Sequence, residues 1–479
     1  MVAKNANLEL VNDRIGMSEE EEPKMRCMRW IVAFSVFVVL FLGMMRSPLF
    51  AQEEREFFTL SESIDMAMDK NWSLKAKKES VMQATAVKNK ARSDFLPSLN
   101  TRYGYTYSRD IEQNYAYIEF SQPHDTYQWV TSASVPVFTG FASISSYELA
   151  KLGIDQSKVE VALEKLDLAL RVKEAYFNIL IADKAVEVAE KDVASRKSNA
   201  DVARNFYEVG MIPVNDLLQA EVEWADAQQR LVKVQNGARV ARSAFNVVLA
   251  REVNAPADVE DILEYKPEIG RLEDYLKQAL KQRPEIRSLE IAVLQADQQI
   301  RLARSGYYPT VSLSAQYTKM GDTPDVGGSV LRYPIDDEGH YIESELYKSH
   351  DFRAGIDFSW KLSELGWGRT RSSVREMESL KRELMETQRA LEDSIKLELK
   401  TALLDLETDE KNIPTTRKAV EQGEENLRVS EERYKAQVTT ITEVLDAQTR
   451  LSQARVNYFM AFYDHNLAKA RLLRAMGEY

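Results

Sequence analysis

The chain has 479 residues, 63 basic and 75 acidic side chains, a formal net charge of -12 and a mean hydropathy of -0.39. The acidic balance argues against nucleic acid as a partner, because phosphate binding is carried by Lys and Arg, and the single Cys27 excludes an internal disulfide framework. Its 18 glycines and 13 prolines fall well below the usual shares of about 7% and 5%, so turns are few and elements long.

At the N-terminus, Ile31–Met45 is an apolar run of about 15 residues, short of the about 20 that a spanning helix needs. Lys24, Arg26 and Arg29 precede it and Ser47-Pro48-Leu49-Phe50-Ala51 follows, so residues 1–51 read as a secretory signal cleaved after Ala51. Met1–Lys24, with Glu19–Glu22, is unlike an n-region and points to Met25 or Met28 as the true start. Cys27 precedes the apolar run, whereas a lipoprotein cysteine follows it.

Beyond the signal the sequence repeats. Leu60–Thr106 aligns without gaps on Leu272–Thr318 at a spacing of 212, with Ala67/Ala279, Arg92/Arg304, Ser93/Ser305 and Pro97/Pro309 among the identities. Tyr207–Glu221 aligns on Tyr434–Gln448 at a spacing of 227. The chain is therefore expected to hold two structural repeats, residues 52–265 and 266–479, each running helix, strand, loop, strand and a long helical hairpin. Strands are predicted near residues 97–108, 126–138, 309–319 and 350–363. In each, apolar and aromatic residues alternate with polar ones, most cleanly Phe352, Ala354, Ile356, Phe358, Trp360 and Leu362. A lipid-exposed transmembrane strand has this pattern, and so does a half-buried soluble one.

The remaining sequence reads as helix. Ser143–Val209 predicts an arm of roughly 100 Å, and Asn215–Leu249 returns with a seam of Leu217, Ala220, Trp224, Ala227, Leu231, Val234, Ala238, Ala241 and Phe245 in steps of three and four. The second repeat carries Val444, Ala447, Leu451, Ala454, Tyr458, Ala461, His465, Ala468 and Leu472. This 3.5-residue period predicts coiled-coil packing. Turns are expected near residues 210–213 and 437–440, and Pro414 is expected to kink or interrupt its helix.

Four strands cannot close a barrel, and an open edge in lipid leaves unpaired backbone groups costing several kcal/mol each. Membrane-spanning strands would therefore demand oligomerisation. The order of motifs resembles that of the TolC family of bacterial outer-membrane efflux proteins, over about Leu60–Gly477. Val135-Pro136-Val137-Phe138-Thr139-Gly140 is similar to the family's strand-to-helix junction, and Phe95-Leu96-Pro97 and Tyr307-Tyr308-Pro309 to its helix-to-strand entries. Asn205–Gly210 followed by Asp216–Ala220 resembles its periplasmic hairpin tip, and Ala468–Gly477 its terminal helix. The resemblance implies a mainly α protomer with β structure, internally duplicated, giving four strands to a trimeric 12-stranded barrel continued by a helical coiled-coil tunnel. It also implies an outer-membrane location with the helical part in the periplasm, and a passive exit duct for efflux or type I secretion. The implied partners are two further copies, outer-membrane lipid, a membrane-fusion adaptor and an inner-membrane pump of RND, ABC or MFS type.

Residue by residue, Asp216 and Tyr434 match positions that link neighbouring helices at the family's closed periplasmic end, while Thr439 stands where that link has an arginine. Glu443 and Asp446 match its acidic constriction rings; repeated threefold they would place six carboxylates around a pore, attracting cations and raising one another's pKa. Gly210, Met211, Val438 and Thr439 are the expected adaptor-contact tips, with Gln437 in place of a tip glycine. The histidines His124, His340, His350 and His465 show no metal-ligand spacing, and His465 on the seam reads as a packed core residue. The Met320–Asp351 segment reads as an external loop. No nucleophile, phosphate-binding or cofactor motif occurs, so neither an enzyme nor a cofactor is expected. The competing reading is a signal-anchored periplasmic coiled-coil scaffold with a soluble β domain.

Overall fold

A computed structural model describes residues 57–109, 113–115, 118–120, 125–262, 270–326, 330–334, 341–345 and 350–479. The expected signal at residues 1–51, His124, His340 and part of the Met320–Asp351 segment lie outside the described residues. Phe57–Tyr479 forms one unit.

Chain order is β1 (Phe57–Phe58), α1 (Leu60–Lys70), α2 (Trp72–Ser93), β2 (Ser98–Tyr107), β3 (Gln113–Tyr115), β4 (Ile118–Phe120), β5 (Asp125–Phe138), α3 (Ala142–Glu208), α4 (Val214–Val248) and β6 (Asp258–Val259). It continues with α5 (Leu272–Gln282), α6 (Pro284–Arg304), a 3-10 turn (Ser305–Tyr307), β7 (Thr310–Gly321), β8 (Val330–Pro334), β9 (Tyr341–Glu345), β10 (His350–Ser359), α7 (Leu362–Gly366), α8 (Arg369–Lys435) and α9 (Ile441–Met476). The helices of the first series have 11, 22, 67 and 35 residues, and those of the second 11, 21, 67 and 36. Both hairpins, α3–α4 and α8–α9, keep the 227 spacing without a gap.

Local sequence explains where these elements start and stop. Thr59 and Glu62 form a reciprocal capping box at α1 (3.2 and 3.1 Å). Asn71 caps α2 through Oδ1, which accepts from the Ser73 and Leu74 amides. At the entry to α3, Gly140 has φ +63°, and a Cβ there would sit 2.6 Å from the Ser305 carbonyl oxygen. Both the backbone and the space require glycine.

Strands β10, β7, β5 and β2 form one antiparallel sheet in that order. Register places Leu99, Ala133, Ala315 and Ala354 in one row, with Val135, Leu313 and Ile356 in another on the same face. The opposite face carries Asn100, Ser132, Gln316 and Arg353. The apolar face is not covered: Leu99 is 74% exposed, Ile356 72% and Phe352 68%. A half-buried soluble sheet would pack these residues on a helix. Aromatic groups flank the aliphatic rows. At one end Tyr105 and Tyr127 lie 5.0 Å apart; at the helical end Phe138, Phe141 and Tyr308 stack edge-on at 5.4 to 6.5 Å.

One strand boundary is corrected, and of the two outcomes expected at Pro414 the interruption does not occur. The fourth strand ends at Ser359, not at residue 363: its ladder partner β7 begins at Thr310, and the preceding Pro309 cannot donate. Leu362 instead opens α7. Pro414 lies inside α8 without ending it. Thr415 and Thr416 hydroxyls donate to the Lys411 and Asn412 carbonyls (3.0 and 2.9 Å), and buried Leu406 and Ile413 hold this stretch in place.

Helices α2, α3, α6 and α8 pack in that order, α4 lies on α3, and α9 on both α8 and α3. One core joins Ala67, Leu168, Val172, Ile179 and Phe245; another joins Ala279, Ile395, Leu399, Leu406 and Leu472. These are the same positions at the spacings of 212 and 227. Among the seam residues, Ala220, Ala227, Phe245, Val444, Ala447, Leu451 and His465 are buried.

Gly140→Ala is expected to lower the thermal unfolding midpoint in detergent, since left-handed backbone alone costs a side-chain-bearing residue about 1–2 kcal/mol. Gly153→Ala, in open space inside α3, is expected to raise it slightly. Equal shifts would contradict this assignment of strain.

Candidate periplasmic gate and the helical seams

The two hairpin turns are built alike. After α3, the Gly210 and Met211 amides donate to the Tyr207 and Phe206 carbonyls (2.9 and 2.8 Å); after α8, those of Gln437 and Val438 donate to Tyr434 and Arg433 (2.9 and 2.8 Å). This is the Schellman arrangement, which needs a left-handed residue past the helix end. Gly210 supplies it at φ 75°, and Gln437 adopts it at φ 59° despite its side chain. Gln437 thus takes the place of a tip glycine at a conformational penalty. Of the four tip residues, Gly210, Met211 and Val438 are exposed and Thr439 is half-buried.

The gate candidates lie around one small core of Ala200, Ala203, Leu217, Ala220, Tyr434, Ile441, Val444 and Leu445. Tyr434 is buried here against Phe206, ring centroids 5.7 Å apart. Its hydroxyl is enclosed with no hydrogen-bond partner in the protomer, and burial together with the nearby Asp216 carboxylate pushes its pKa above the usual value. Asp216 sits half-buried in the first turn of α4, one residue before the core residue Leu217. Glu443, in the first turn of α9, takes a hydrogen bond from the Thr439 hydroxyl and an ion pair from Arg433 at 2.9 Å. Asp446 is exposed. The two carboxylates therefore differ: Glu443 is partly neutralised within its own chain.

Arg433 escaped sequence reading, as did a second feature above the tip. Arg196, 2% exposed, donates through Nε to both Asp192 oxygens (3.1 Å each), through Nη1 to Glu223 (2.5 Å) and through Nη2 to Thr449 (3.0 Å). Asn199 donates to Gln448 (3.0 Å), Gln448 to the Asp192 carbonyl (3.3 Å) and Ser452 to the Asp192 carboxylate (2.9 Å). The network ties α3 and α4 of one hairpin to α9 of the other. The i,i+4 pairing of Asp192 with Arg196 was the available signal, but that spacing is equally common on solvated helix faces.

Higher on the helices, two grooves occupy the same place in the two hairpins. One, of about 610 Å³ between α3 and α4, is lined by Ala182, Gly237, Val240, Ala241 and Ala244. The other, of about 700 Å³, is lined by Asp405, Asp409, Asp464, Leu467 and Ala468, with Leu170 of α3 at its side. Burial, then the Asp464 and Asp405 charges, lift the Asp409 pKa to about 6. His465 is buried nearby, its pKa lowered by desolvation. Among the described residues no group of three metal-ligating side chains occurs, and no helix is long and apolar enough to cross a membrane.

The family model for the outer membrane efflux protein matches residues 63–250 and 275–478. The chain belongs to the outer membrane efflux protein family. Members are channels of the outer membrane and not enzymes, in line with the absence of a catalytic motif from the sequence. Outer membrane protein TolC of Escherichia coli K12 is 23% identical over 422 residues, covering 81% of this chain and 76% of its own. That of Vibrio cholerae is 22% identical over 456 residues, covering 92% and 94%. The crystal structure of the Campylobacter jejuni CmeC outer membrane channel shares the fold at a TM-score of 0.72 and 16% identity, covering 87% of this chain and 85% of that one.

Arg196→Met is expected to destabilise the chain by about 3–5 kcal/mol, because it leaves Asp192 buried without its main cation. Arg196→Met with Asp192→Leu is expected to recover most of that loss in chemical denaturation. A second effect concerns acid. The raised Asp409 pKa means that the native state holds this proton more tightly than the unfolded chain. The associated stability is full below the ordinary value of 3.8 and is lost as pH rises through about 6. Thermal midpoints should therefore fall as pH rises from about 4 to about 6, and Asp409→Asn should flatten that slope.

Proposed function

We propose that the protein is the exit duct of a tripartite efflux or type I secretion system. It is a homotrimer whose 12-stranded barrel crosses the outer membrane and whose helices enclose a tunnel through the periplasm. A periplasmic adaptor meets the hairpin tips and a pump of RND, ABC or MFS type drives the flow. The observation that carries this reading is the four-stranded sheet, with an exposed apolar and aromatic face and two free edges, set on helices of 67 residues. Phe352 to Phe358 spans about 20 Å of strand, close to the about 25 Å apolar band of outer-membrane barrels with its aromatic girdles. Three copies of four strands exceed the eight at which such barrels begin. The recurrence of helix lengths and core positions supports descent of the two halves from one unit, 52–265 and 266–479.

Within this reading the tip core is the closed gate. Tyr434 brings a buried hydroxyl with no acceptor in its own chain, and Asp216 is the carboxylate closest to it in effect. Thr439 cannot supply the cation of a charged latch. Arg433 is the cation present, and it is held by Glu443 within the chain. Of the two ring carboxylates, Asp446 then supplies the less compensated negative charge, with Asp216 adding to it near Tyr434.

In planar bilayers the purified protein is expected to form cation-selective channels. Asp446→Asn is expected to reduce selectivity more than Glu443→Gln, and the double variant most of all. Absence of conductance from folded, outer-membrane-derived protein would sink the channel reading. Unchanged selectivity in the double variant would remove these carboxylates from the gate.

A further inference from the structure

The two repeats pass from strand to long helix in different ways. In the first, residues 139–141 join β5 to α3; in the second, residues 360–368 join β10 to α8 and include the short helix α7. At the spacing of 227 Gly368 stands where Phe141 does, and both are left-handed, at φ 75° and 71°. The extra chain in the second repeat turns apolar side chains outward. Trp360 continues the alternation that puts Phe352, Ile356 and Phe358 on the bare face of the sheet. Leu362 is 61% exposed and Trp367 87%, more than any other large apolar side chain among the described residues.

Charge follows directly. Arg369, Arg371 and Arg375 are exposed in the first two turns of α8, where the start of α3 has Ala142, Ile144 and Glu148. Glu148 pairs with Lys151 at 3.3 Å. Among the described residues none of the three arginines has a carboxylate partner, and Glu378 one turn on is taken by Arg304 at 3.1 Å. Arg371 and Arg375 are four apart, a like-charge spacing that is unfavourable on a helix unless an anion lies between them. The start of α8 is also fixed in place. Thr370 and Val374 are buried, and a Cβ at Gly306 would lie 2.8 Å from the Thr370 hydroxyl oxygen. The arginines therefore stand on a rigid support.

We propose that Trp367 and α7 lie in the periplasm-facing leaflet of the outer membrane, and that Arg369, Arg371 and Arg375 bind the headgroups of anionic phospholipids there. The order along the chain is that of a bilayer read outward from its centre: bare aliphatic and aromatic strand, exposed tryptophan, then arginine. Tryptophan settles at the membrane–water interface, where one end of its ring is apolar and the other wet. The headgroup layer beyond the hydrocarbon is about 5–8 Å deep on each side, and Arg369 to Arg375 rises about 9 Å along the helix. A guanidinium binds phosphate oxygens through two parallel N–H donors, and a net negative lipid also supplies the charge that Arg371 and Arg375 lack. The first repeat meets the same depth with exposed Phe141 and Ile144 and no arginine. Each protomer is thus held to charged lipid on its second repeat alone. The inference rests on the outer-membrane channel reading and adds to it a lipid class and the residues that select it.

The test uses protein purified from the outer membrane and reconstituted in phosphatidylcholine vesicles carrying brominated phosphatidylglycerol or brominated phosphatidylcholine. The share of the fluorescence due to Trp367 is the difference between the unsubstituted protein and Trp367→Phe. Both lipids are expected to quench that share, phosphatidylglycerol at a severalfold lower mole fraction, since each arginine near the headgroups favours an anionic lipid by about fivefold. Arg369→Gln with Arg371→Gln and Arg375→Gln is expected to abolish the preference and keep the quenching by phosphatidylcholine. Arg389→Gln, further along α8 and paired with Glu386, is expected to keep the preference. Millimolar inorganic phosphate at constant ionic strength is expected to leave it intact; its loss would assign the arginines to free anions and overturn the proposal. If the protein conducts in planar bilayers but Trp367 is not quenched, or both lipids quench it equally, or the triple variant keeps the preference, the lipid contact is wrong and the channel reading stands. If the protein neither conducts nor is quenched, both fall.

Discussion

The structure depends on one constraint: backbone N–H and C=O groups must be paired wherever water is absent. A sheet of β10, β7, β5 and β2 satisfies its interior strands and leaves β2 and β10 each with one open edge. In water such edges are tolerable. Its apolar face, however, is bare, with Leu99, Phe352, Ile356 and Phe358 exposed and aromatic clusters at both ends, which suits hydrocarbon and not water. In hydrocarbon each unpaired group costs several kcal/mol, so the edges of one copy must meet the edges of another. On the proposed reading, oligomerisation is a condition of the fold in its solvent and not an addition to it.

The helices carry that requirement away from the membrane. Two hairpins of matching length, with equivalent cores around Phe245 and Leu472, have diverged where they meet. The seam inside the chain is pinned by Arg196, whose guanidinium reaches Asp192, Glu223 and Thr449 across three helices. A buried ionic network of this kind adds little net stability but makes alternative registers expensive. On the opposite flanks Ala419, Gly423, Val222 and Ala225 stand where Asp192, Arg196, Thr449 and Ser452 do, while Glu221 and Asn426 stand where Gln448 and Asn199 do. The tips repeat the theme: Gly210 turns freely, while Gln437 occupies the same left-handed conformation under strain. Each hairpin has one helix fastened to the other hairpin and one whose apolar residues face outward.

Much of this was legible in the sequence. Low glycine and proline content reported the 67-residue helices, and period-3.5 seams located the residues that bury. Period-2 alternation found the four long strands, but it could not say whether the apolar face is covered, since lipid-facing and core-facing strands alternate alike. Other features escaped because they depend on neighbours. Where the fourth strand stops is decided by Pro309 on its partner. Pro414 stays in its helix because threonine hydroxyls and a packed flank stabilise that turn. Arg433 pairs with Glu443 only because the hairpin folds back, and Gln448 is buried beside Asp192 only because two hairpins cross. The candidate gate positions come from family resemblance alone, whereas the pairing of Glu443 with Arg433 and Thr439 depends on the folded hairpin.

The central claim is that four strands with two free edges and a bare apolar face close by assembly in the outer membrane. Electron microscopy of the detergent-solubilised protein from that membrane addresses it most directly. A threefold hollow cylinder, with a short barrel at one end and a helical tube roughly 100 Å long at the other, is the expected image. A monomeric particle, or a protein released from the envelope without detergent, would contradict the account.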